Sequence, residues 1–298
     1  MKSRLIIGCG YLGRHVGRLW LERGHNVYAI TSSPENVPAL VEEGFSVTVA
    51  NVLDPKSLEK LPGCDTLLYC VGPSRHPNTS RWKLYRDGLV NVLGRIAPDV
   101  SQIALASSTG VYGNWSDGWV NEDTPKNPHR ESSKALSAAE DLLLDSRWQD
   151  RAFVFRLGGI YGPNRIPLFL ELLRGEPLPS SPDALLNLIH IEDAATAIDL
   201  VLERARPPCV INVVDGHPVM RRDFYEELAR LLGARFPQFA ERTDSFQEET
   251  IPMTSRRRSI ATKRVSNDLL VKGFGMSFRY PEYRSGLANI VRKGFLVE

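Results

Sequence analysis

The amino-acid sequence predicts an α/β protein with a doubly wound parallel sheet. Through the first half, short β-branched runs alternate with segments of helical periodicity, which is typical of βαβ units. A glycine-rich turn directly follows the first of these runs. After Leu157 the rhythm changes, because five prolines interrupt residues 163–182. These three features indicate a sheet domain interleaved with a smaller second part.

Each element follows from the local pattern. The predicted strands are short and apolar, at residues 5–7, 27–30, 45–49, 66–71, 103–106, 153–157 and 210–214. The predicted helices cover residues 13–23, 38–43, 82–97, 132–144 and 193–203. The remainder, 219–298, predicts mixed helix and loop. We therefore predict a sheet domain of residues 1–162 and 187–214, and a second part of residues 163–186 and 215–298.

Composition excludes several classes of protein. The 298 residues carry 37 Lys and Arg against 35 Asp and Glu, a formal net charge of +2, so neither nucleic acid nor a membrane surface is an expected partner. No stretch approaches the roughly 18 apolar residues of a membrane span. The four cysteines form no CxxC pair, which predicts no metal site and no disulfide framework. We expect a soluble protein of the cytoplasm.

The turn after the first strand has the spacing of a dinucleotide-binding site. Gly8, Gly10 and Gly13 form a GxGxxG motif, with Tyr11 and Leu12 inside it, where the first strand ends and a helix begins. The glycines allow a tight turn, a close approach to a pyrophosphate and close helix–strand packing. The helix N-terminus supplies unpaired N–H donors. This context predicts a Rossmann-type domain that binds a dinucleotide.

The end of the second strand indicates which dinucleotide. An Asp or Glu normally holds the ribose 2′-hydroxyl there, but this chain has Thr31, Ser32 and Ser33. Three hydroxyls can donate to a 2′-phosphate, and Arg14 in the first helical turn is a candidate charge partner. The plainer interpretation is that these are turn and N-cap residues. We favour NADP, with NAD as the alternative.

Ligands of such sheets lie at the carboxyl ends of the strands. Two further pairs of residues occupy that position, one just after the third predicted strand and one at the end of the fourth. We therefore add Asn51, Val52, Val71 and Gly72 to the predicted cofactor site.

Three later segments carry a family resemblance. They are ASSTGVYG at 106–113, RLGGIYGP at 156–163 and NLIHIED at 187–193, and KRVSN at 263–267 also fits. Their order and spacing resemble those of the extended short-chain dehydrogenases/reductases, which include NAD(P)-dependent epimerases and dehydratases of nucleotide sugars. The resemblance covers the whole chain and implies little about the substrate.

The resemblance implies an active site with one part missing. In that family a Ser or Thr, a Tyr with Lys four residues later, and an upstream Asn act together. The Ser position falls on Ser108, whereas the Asn position holds Asp87. None of the nine tyrosines is followed by Lys four residues later. The chain therefore resembles an atypical branch that lacks the usual proton donor.

The position of the missing Tyr depends on how the helix is aligned. If Lys134 is the family lysine, Arg130 holds the Tyr position. If the helix is aligned on Glu140 instead, Ser132 and Leu136 fill the Tyr and Lys positions.

Losing the Tyr matters because hydride transfer needs a group that moves the matching proton, which contributes about 10²–10⁴-fold to the rate. Arg130 stays charged, so its expected role is to stabilise an oxyanion or bind a substrate phosphate. Ser108 can still polarise a substrate oxygen. The candidate replacements for the Tyr are Asp87, Lys134, Glu122 and Tyr112.

Other features have a functional and a plainer interpretation. The basic residues Arg256–Arg258, Lys263 and Arg264 either contact a substrate phosphate or form a solvated face. Trp115 and Trp119 either cover the cofactor or only pack. Asp193 is predicted to cap the helix that follows it, beside a packed His190. In the plainer interpretation, none of these residues takes part in binding or catalysis.

Two functions of different class remain open. One is an NADP-dependent oxidoreductase or epimerase-like enzyme acting on a small polar, nucleotide-linked or phosphate-bearing substrate. The other is a non-catalytic NADP-binding redox sensor or scaffold that has lost the Tyr. The family resemblance also implies a homodimer that pairs through helices 82–97 and 132–144.

Overall fold

A seven-stranded parallel sheet forms the centre of the molecule. The computed structural model describes residues 1–72, 79–115, 118–240 and 263–294. Its strands are β1 (Ser3–Ile7), β2 (Asn26–Thr31), β3 (Ser46–Val49), β4 (Thr66–Tyr69), β5 (Gln102–Ser108), β7 (Ala152–Leu157) and β11 (Cys209–Val213). The strand order is β11-β7-β5-β4-β1-β2-β3 and every pairing is parallel. This confirms the predicted fold class.

In the described residues, six shorter strands form three two-stranded ladders beside the main sheet. The two that lie after residue 218 are each two residues long, too short to show the alternation on which sequence prediction of a strand depends. The pairs are β6 (Trp119–Val120) with β13 (Arg264–Val265), β8 (Gly159–Tyr161) with β10 (Leu188–His190), and β9 (Leu185–Leu186) with β12 (Val219–Met220).

Eight α-helices are present in the described residues, and none of them is long and apolar enough to cross a bilayer. They are α1 (Tyr11–Glu22), α2 (Val37–Glu42), α3 (Gly88–Leu93), α4 (Glu131–Leu144), α5 (Phe169–Arg174), α6 (Ile191–Arg204), α7 (Arg221–Leu232) and α8 (Tyr283–Arg292).

The helix predicted at 82–97 is shorter and wider than expected. Lys83–Asp87 form a π-helical turn that continues into α3. The Tyr69 hydroxyl donates a hydrogen bond to the Leu84 carbonyl, and it would stand 2.5 Å from a Cβ on Gly88. Only glycine leaves room for this tyrosine, which packs against the widened turn.

Helices cover both faces of the sheet. Along β1, Ile6 packs with α1 and α6, whereas Leu5 and Ile7 pack with the residues of α3 and α4. Trp20 of α1 donates its indole N–H to Asp199 of α6 at 2.8 Å, which ties the two helices together. This alternation of buried side chains is what a doubly wound sheet requires.

A third apolar cluster lies outside the main sheet. It packs α5, α7 and α8 together with β8 and β10, and its largest members include Phe224 and Tyr283. All of its buried residues except Tyr161 and Leu188 come from segments 163–186 and 215–298. The division of the chain into two parts stays a prediction, which this clustering supports.

The predicted cap of α6 is wrong. His190, not Asp193, is the N-cap residue, and its Nδ1 accepts the N–H of Glu192 at 3.3 Å. Burial lowers the pKa of His190 to about 3, so the ring stays neutral and can accept. Asp193 instead accepts the backbone N–H groups of Arg279 and Tyr280, at 2.8 and 2.9 Å. It fastens the C-terminal segment to the sheet domain.

Candidate functional site

The glycine turn is shaped by close backbone contacts. Gly8 has φ +85°, and a Cβ there would stand 2.7 Å from the Cα of Val71. A Cβ on Gly13 would stand 2.8 Å from a methyl of Ile6. At Gly10 the space is open, with nothing nearer than 4.0 Å. The turn therefore lies tightly against β1 and β4 and leaves its outer side open to a ligand.

The start of α1 can receive a phosphate. Gly10 is the N-cap residue, and no side chain caps the helix. Its first-turn N–H groups and the positive end of its dipole face outward without a carboxylate in the first turn. These features fit the pyrophosphate of a dinucleotide.

A cavity of about 170 Å³ lies beside this turn, at the carboxyl ends of β1 to β4. It brings together six of the predicted cofactor residues: Gly8, Ser32, Asn51, Val52, Val71 and Gly72. Its other lining residues were not among the predicted cofactor residues; they are Ile7, Ile30, Ala50, Leu53, Thr79 and Leu84. No acidic side chain lines this cavity in the described part of the chain.

Four other predicted cofactor residues have different surroundings. Leu12 is buried in the core, and the Tyr11 hydroxyl donates to the Pro163 carbonyl at 2.8 Å. Thr31 is buried, with its Oγ1 accepting the N–H of Ser33 at 3.2 Å. Ser32 is therefore the hydroxyl of this group that lines the cavity.

Arg14 lies in an ion cluster on the side of α1. Its guanidinium and that of Arg18 both donate to the carboxylate of Glu43. Burial alone would raise the pKa of Glu43, but these two hydrogen-bonded arginines hold it at about 2. Two guanidinium groups and one carboxylate leave one net positive charge in the cluster.

Ser108 ends β5 and begins the next turn. It is the N-cap residue of a 3-10 turn over Thr109–Tyr112, and its Oγ accepts the N–H of Gly110 at 3.1 Å. A Cβ on Gly110 would stand 3.3 Å from this Oγ and 2.6 Å from the Oγ of Ser133. Ser133 of α4 therefore lies near Ser108, with Gly110 packed between them. The sequence did not predict this, because the two serines lie on separate elements and only the packing around Gly110 brings them close.

The other predicted catalytic residues are dispersed. Arg130 is the exposed N-cap residue of α4. Lys134 is exposed on the same helix, next in sequence to the buried Ser133. Asp87 is exposed at the end of the π-helical turn and pairs with Arg86 at 3.2 Å. No hydrogen bond of the described residues joins any of these three to Ser108.

Behind Ser108 lies a buried polar network that the sequence did not reveal. Arg156 of β7 donates to the carboxylate of Glu140 on α4, at 2.9 Å for the closest pair, and to the Tyr112 hydroxyl at 2.9 Å. Ser107 donates its hydroxyl to Glu140, which is fully buried. The Tyr112 hydroxyl in turn donates to Asn212 at 2.8 Å. This network joins β5, β7, β11 and α4.

Two candidate replacements for the family Tyr belong to this network. Tyr112 is fully buried, and burial raises the pKa of its hydroxyl. Glu122 accepts the N–H of Asn212 at 2.8 Å, and burial raises its pKa as well. Both groups are committed to partners inside the protein, which favours a structural role.

The structure also shows the surroundings of the two tryptophans and of Lys263. Trp115 donates its indole N–H to the Tyr112 carbonyl at 2.9 Å, and Trp119 is exposed in β6. The Lys263 Nζ donates to the Gly113 carbonyl at 2.8 Å. Arg256–Arg258 lie outside the described residues. No group of three or more His, Cys, Asp or Glu side chains in the described residues could hold a metal ion.

Comparisons with known proteins match this architecture. Residues 5–213 match the model of the NAD dependent epimerase/dehydratase family. Protein YeeZ of Escherichia coli is 29% identical over 291 residues, which cover 95% of this chain and 97% of YeeZ. A conserved protein of unknown function from Silicibacter pomeroyi superposes with a TM-score of 0.73 at 25% identity, covering 98% of this chain and 99% of the other.

A UDP-glucose-4-epimerase from Stenotrophomonas maltophila, solved with bound NAD, superposes with a TM-score of 0.79 over 98% of both chains. At 18% identity, this likeness shows only that the two chains share a fold.

Proposed function

The chain belongs to the NAD-dependent epimerase/dehydratase family, and we propose that it is an NADP-dependent oxidoreductase of that family which acts on a small, polar, phosphate-bearing substrate. The observation that carries this proposal is the site itself. An uncapped helix start, an open Gly10 and an acid-free cavity meet at the carboxyl ends of β1 to β4. Ser108 ends the neighbouring strand β5, on the substrate side.

The residues present fit a nicotinamide dinucleotide. The first-turn N–H groups of α1 would hold its pyrophosphate, and the cavity bordered by Ser32, Asn51 and Val71 would hold its adenosine. When bound, the cofactor supplies the hydride acceptor or donor. The match to the NAD dependent epimerase/dehydratase family supports the cofactor class.

Ser108 is proposed to orient the substrate oxygen. Its Oγ accepts from Gly110, which leaves the hydroxyl proton free to be donated outward. The nearby Ser133 hydroxyl offers a second donor. Neither hydroxyl has the acidity of a phenol, so we expect slow turnover unless the substrate brings its own proton-transfer group.

NADP is favoured over NAD because no carboxylate of the described residues lines the cavity near Ser32, while the cluster of Arg14, Arg18 and Glu43 is net positive. We expect Arg14→Ala to weaken NADPH binding by about tenfold, the value of one charge-assisted hydrogen bond, and to leave NADH binding within about twofold. Calorimetric titration of both cofactors measures this.

The matched control is Arg18→Ala. This variant also removes one of the two guanidinium groups that pair with Glu43, but Arg18 lies one helical turn further from the glycine turn. Because it also removes the net charge of the cluster, it should weaken NADPH binding, but by less than Arg14→Ala does, and leave NADH binding within about twofold. An Arg14→Ala protein that loses NADH and NADPH affinity together would contradict a role at the 2′-phosphate.

The catalytic half of the proposal depends on Ser108. In a screen of sugar nucleotides and sugar phosphates followed by cofactor absorbance, we expect turnover that Ser108→Ala lowers by at least about tenfold. Ser180→Ala, which changes a hydroxyl in the second part of the chain, serves as the control and should keep full turnover.

Turnover that survives Ser108→Ala would remove this residue from the mechanism. Absence of turnover on every substrate, together with binding of a protein partner that depends on NADPH, would favour the sensor or scaffold instead.

A further inference from the structure

One turn of the chain is held from both of its sides by tyrosine hydroxyls. Residues 162–168 lead from the short strand β8 into α5, which packs in the third apolar cluster. The Tyr11 hydroxyl, from the glycine motif, donates to the Pro163 carbonyl at 2.8 Å. The Tyr225 hydroxyl, from α7, donates to the Pro167 carbonyl, also at 2.8 Å. Burial raises the pKa of both tyrosines, so both hydroxyls keep the proton that they donate.

The backbone of this turn is strained directly after each of the two prolines. Asn164 has φ +59° and Leu168 has φ +56°, and no other residue except glycine has a positive φ in the described ranges. Leucine rarely adopts this conformation, because its Cβ then crowds the following carbonyl oxygen. Such strain persists only where surrounding contacts hold it, and it is concentrated at ligand clamps and switch regions. The two tyrosine hydrogen bonds supply such contacts.

The turn also contacts the start of α1. Gly162 and Arg165 exchange backbone hydrogen bonds at 3.1 and 3.0 Å, and a Cβ on Gly162 would stand 2.5 Å from the Tyr11 hydroxyl. The guanidinium of Arg165 lies over the Tyr11 ring, 5.3 Å from its centroid. Tyr11 is the first residue of α1, whose uncapped start is the proposed site of the cofactor pyrophosphate. Arg165 is exposed and pairs with no carboxylate in the part of the chain that the structure describes.

We propose that Arg165 binds the pyrophosphate of the dinucleotide and that the 162–168 turn couples this binding to α5, an inference that rests on the proposed function. A guanidinium offers paired donors to phosphate oxygens, and the Tyr11 ring holds this one at the start of α1. With pyrophosphate bound, Arg165 stabilises the strained form of the turn. Phe169 and Leu172 are buried in the third cluster, so a fixed turn also orders α5. By linkage, whatever orders α5 strengthens cofactor binding by the same factor.

Calorimetric titration with NADPH and with NADH tests the contact. Both cofactors carry the same pyrophosphate, so Arg165→Met should weaken the binding of both by about tenfold, the loss of one charge-assisted hydrogen bond. Arg14→Ala, in contrast, is expected to weaken NADPH binding alone. The matched control is Arg174→Met, which removes an exposed arginine of α5 that pairs with Glu176. It should leave both affinities unchanged.

Hydrogen exchange of the full-length protein, followed by mass spectrometry with and without NADPH, tests the coupling. We expect NADPH to slow amide exchange in residues 164–174 of the wild type at least about tenfold. Tyr11→Phe keeps the ring below Arg165 but loses the hydroxyl, so it should bind NADPH and lose most of this protection. Tyr225→Phe removes the equivalent hydrogen bond on the α7 side. It should exchange faster without NADPH and keep the protection, because the turn still contacts the glycine motif.

Several results would overturn the inference. They are unchanged cofactor affinities in Arg165→Met, a loss there of NADPH affinity alone, and an equal loss in Arg174→Met. Protection of residues 164–174 that survives in Tyr11→Phe would overturn the coupling. Wild-type protein that binds neither cofactor contradicts the proposed function itself, whereas normal binding of NADPH without slower exchange in residues 164–174 contradicts only the coupling.

Discussion

Replacing Arg156 with methionine is expected to lower the free energy of unfolding by about 3–5 kcal/mol, because it leaves a buried carboxylate without its partner. The side chain of Glu140 is fully buried, and its closest contact with Arg156 is 2.9 Å. Lys126, at 3.5 Å, is the only other cation paired with Glu140 in the described residues and compensates in part. Urea unfolding followed by circular dichroism measures the change.

Two controls show whether the loss comes from the unpaired charge. Arg222→Met breaks an exposed ion pair with Asp183 and should cost less than about 1 kcal/mol. The double variant Arg156→Met/Glu140→Leu removes both charges and should recover most of the stability. A loss below about 1 kcal/mol in Arg156→Met alone would contradict the structural role given to this network.

Alanine at Gly8 is expected to abolish most cofactor binding. The backbone there has φ +85°, which costs an L-residue about 1–2 kcal/mol, and the new Cβ would stand 2.7 Å from the Cα of Val71. Backbone cannot yield as a flexible side chain does, so the turn must move away from β4. We expect NADPH affinity to fall at least about 100-fold, as when two charge-assisted hydrogen bonds are lost.

Gly24→Ala separates the effect of the positive φ from that of the close contact with the backbone. Gly24 has φ +76° after α1, but nothing lies within 4 Å of a Cβ there. This variant should pay only the conformational cost of about 1–2 kcal/mol and bind NADPH as the wild type does. A Gly8→Ala protein that binds NADPH with wild-type affinity would show that the glycine turn does not hold the cofactor.

Local patterns predict the sheet well, because each strand is a continuous apolar run flanked by turn residues. The geometry of βαβ units accounts for the order of β1, β4, β5 and β7 in the sheet. It also places the ligand site at the carboxyl ends of the strands. The helix predicted at 82–97 extended past Leu93, where α3 ends, and its sequence does not show the π-helical turn at Lys83–Asp87, against which Tyr69 packs. Such an interaction between distant residues has no local signal.

The candidate site divides in the same way. Gly8, Ser32 and Val71 follow strands and could be placed from the sequence. Ser133 could not, since only the packing of α4 against the turn at Gly110 brings it to its place. Tyr112 was a candidate for proton transfer until burial and its bonds to Arg156 and Asn212 were known.

Titration of the wild-type protein with NADPH and with NADH, each by calorimetry under the same conditions, tests the central claim most directly. The acid-free cavity at Ser32 and the net positive cluster around Arg14 predict that both cofactors bind and that NADPH binds more tightly. Equal affinities, tighter binding of NADH, or no binding of either cofactor would contradict it.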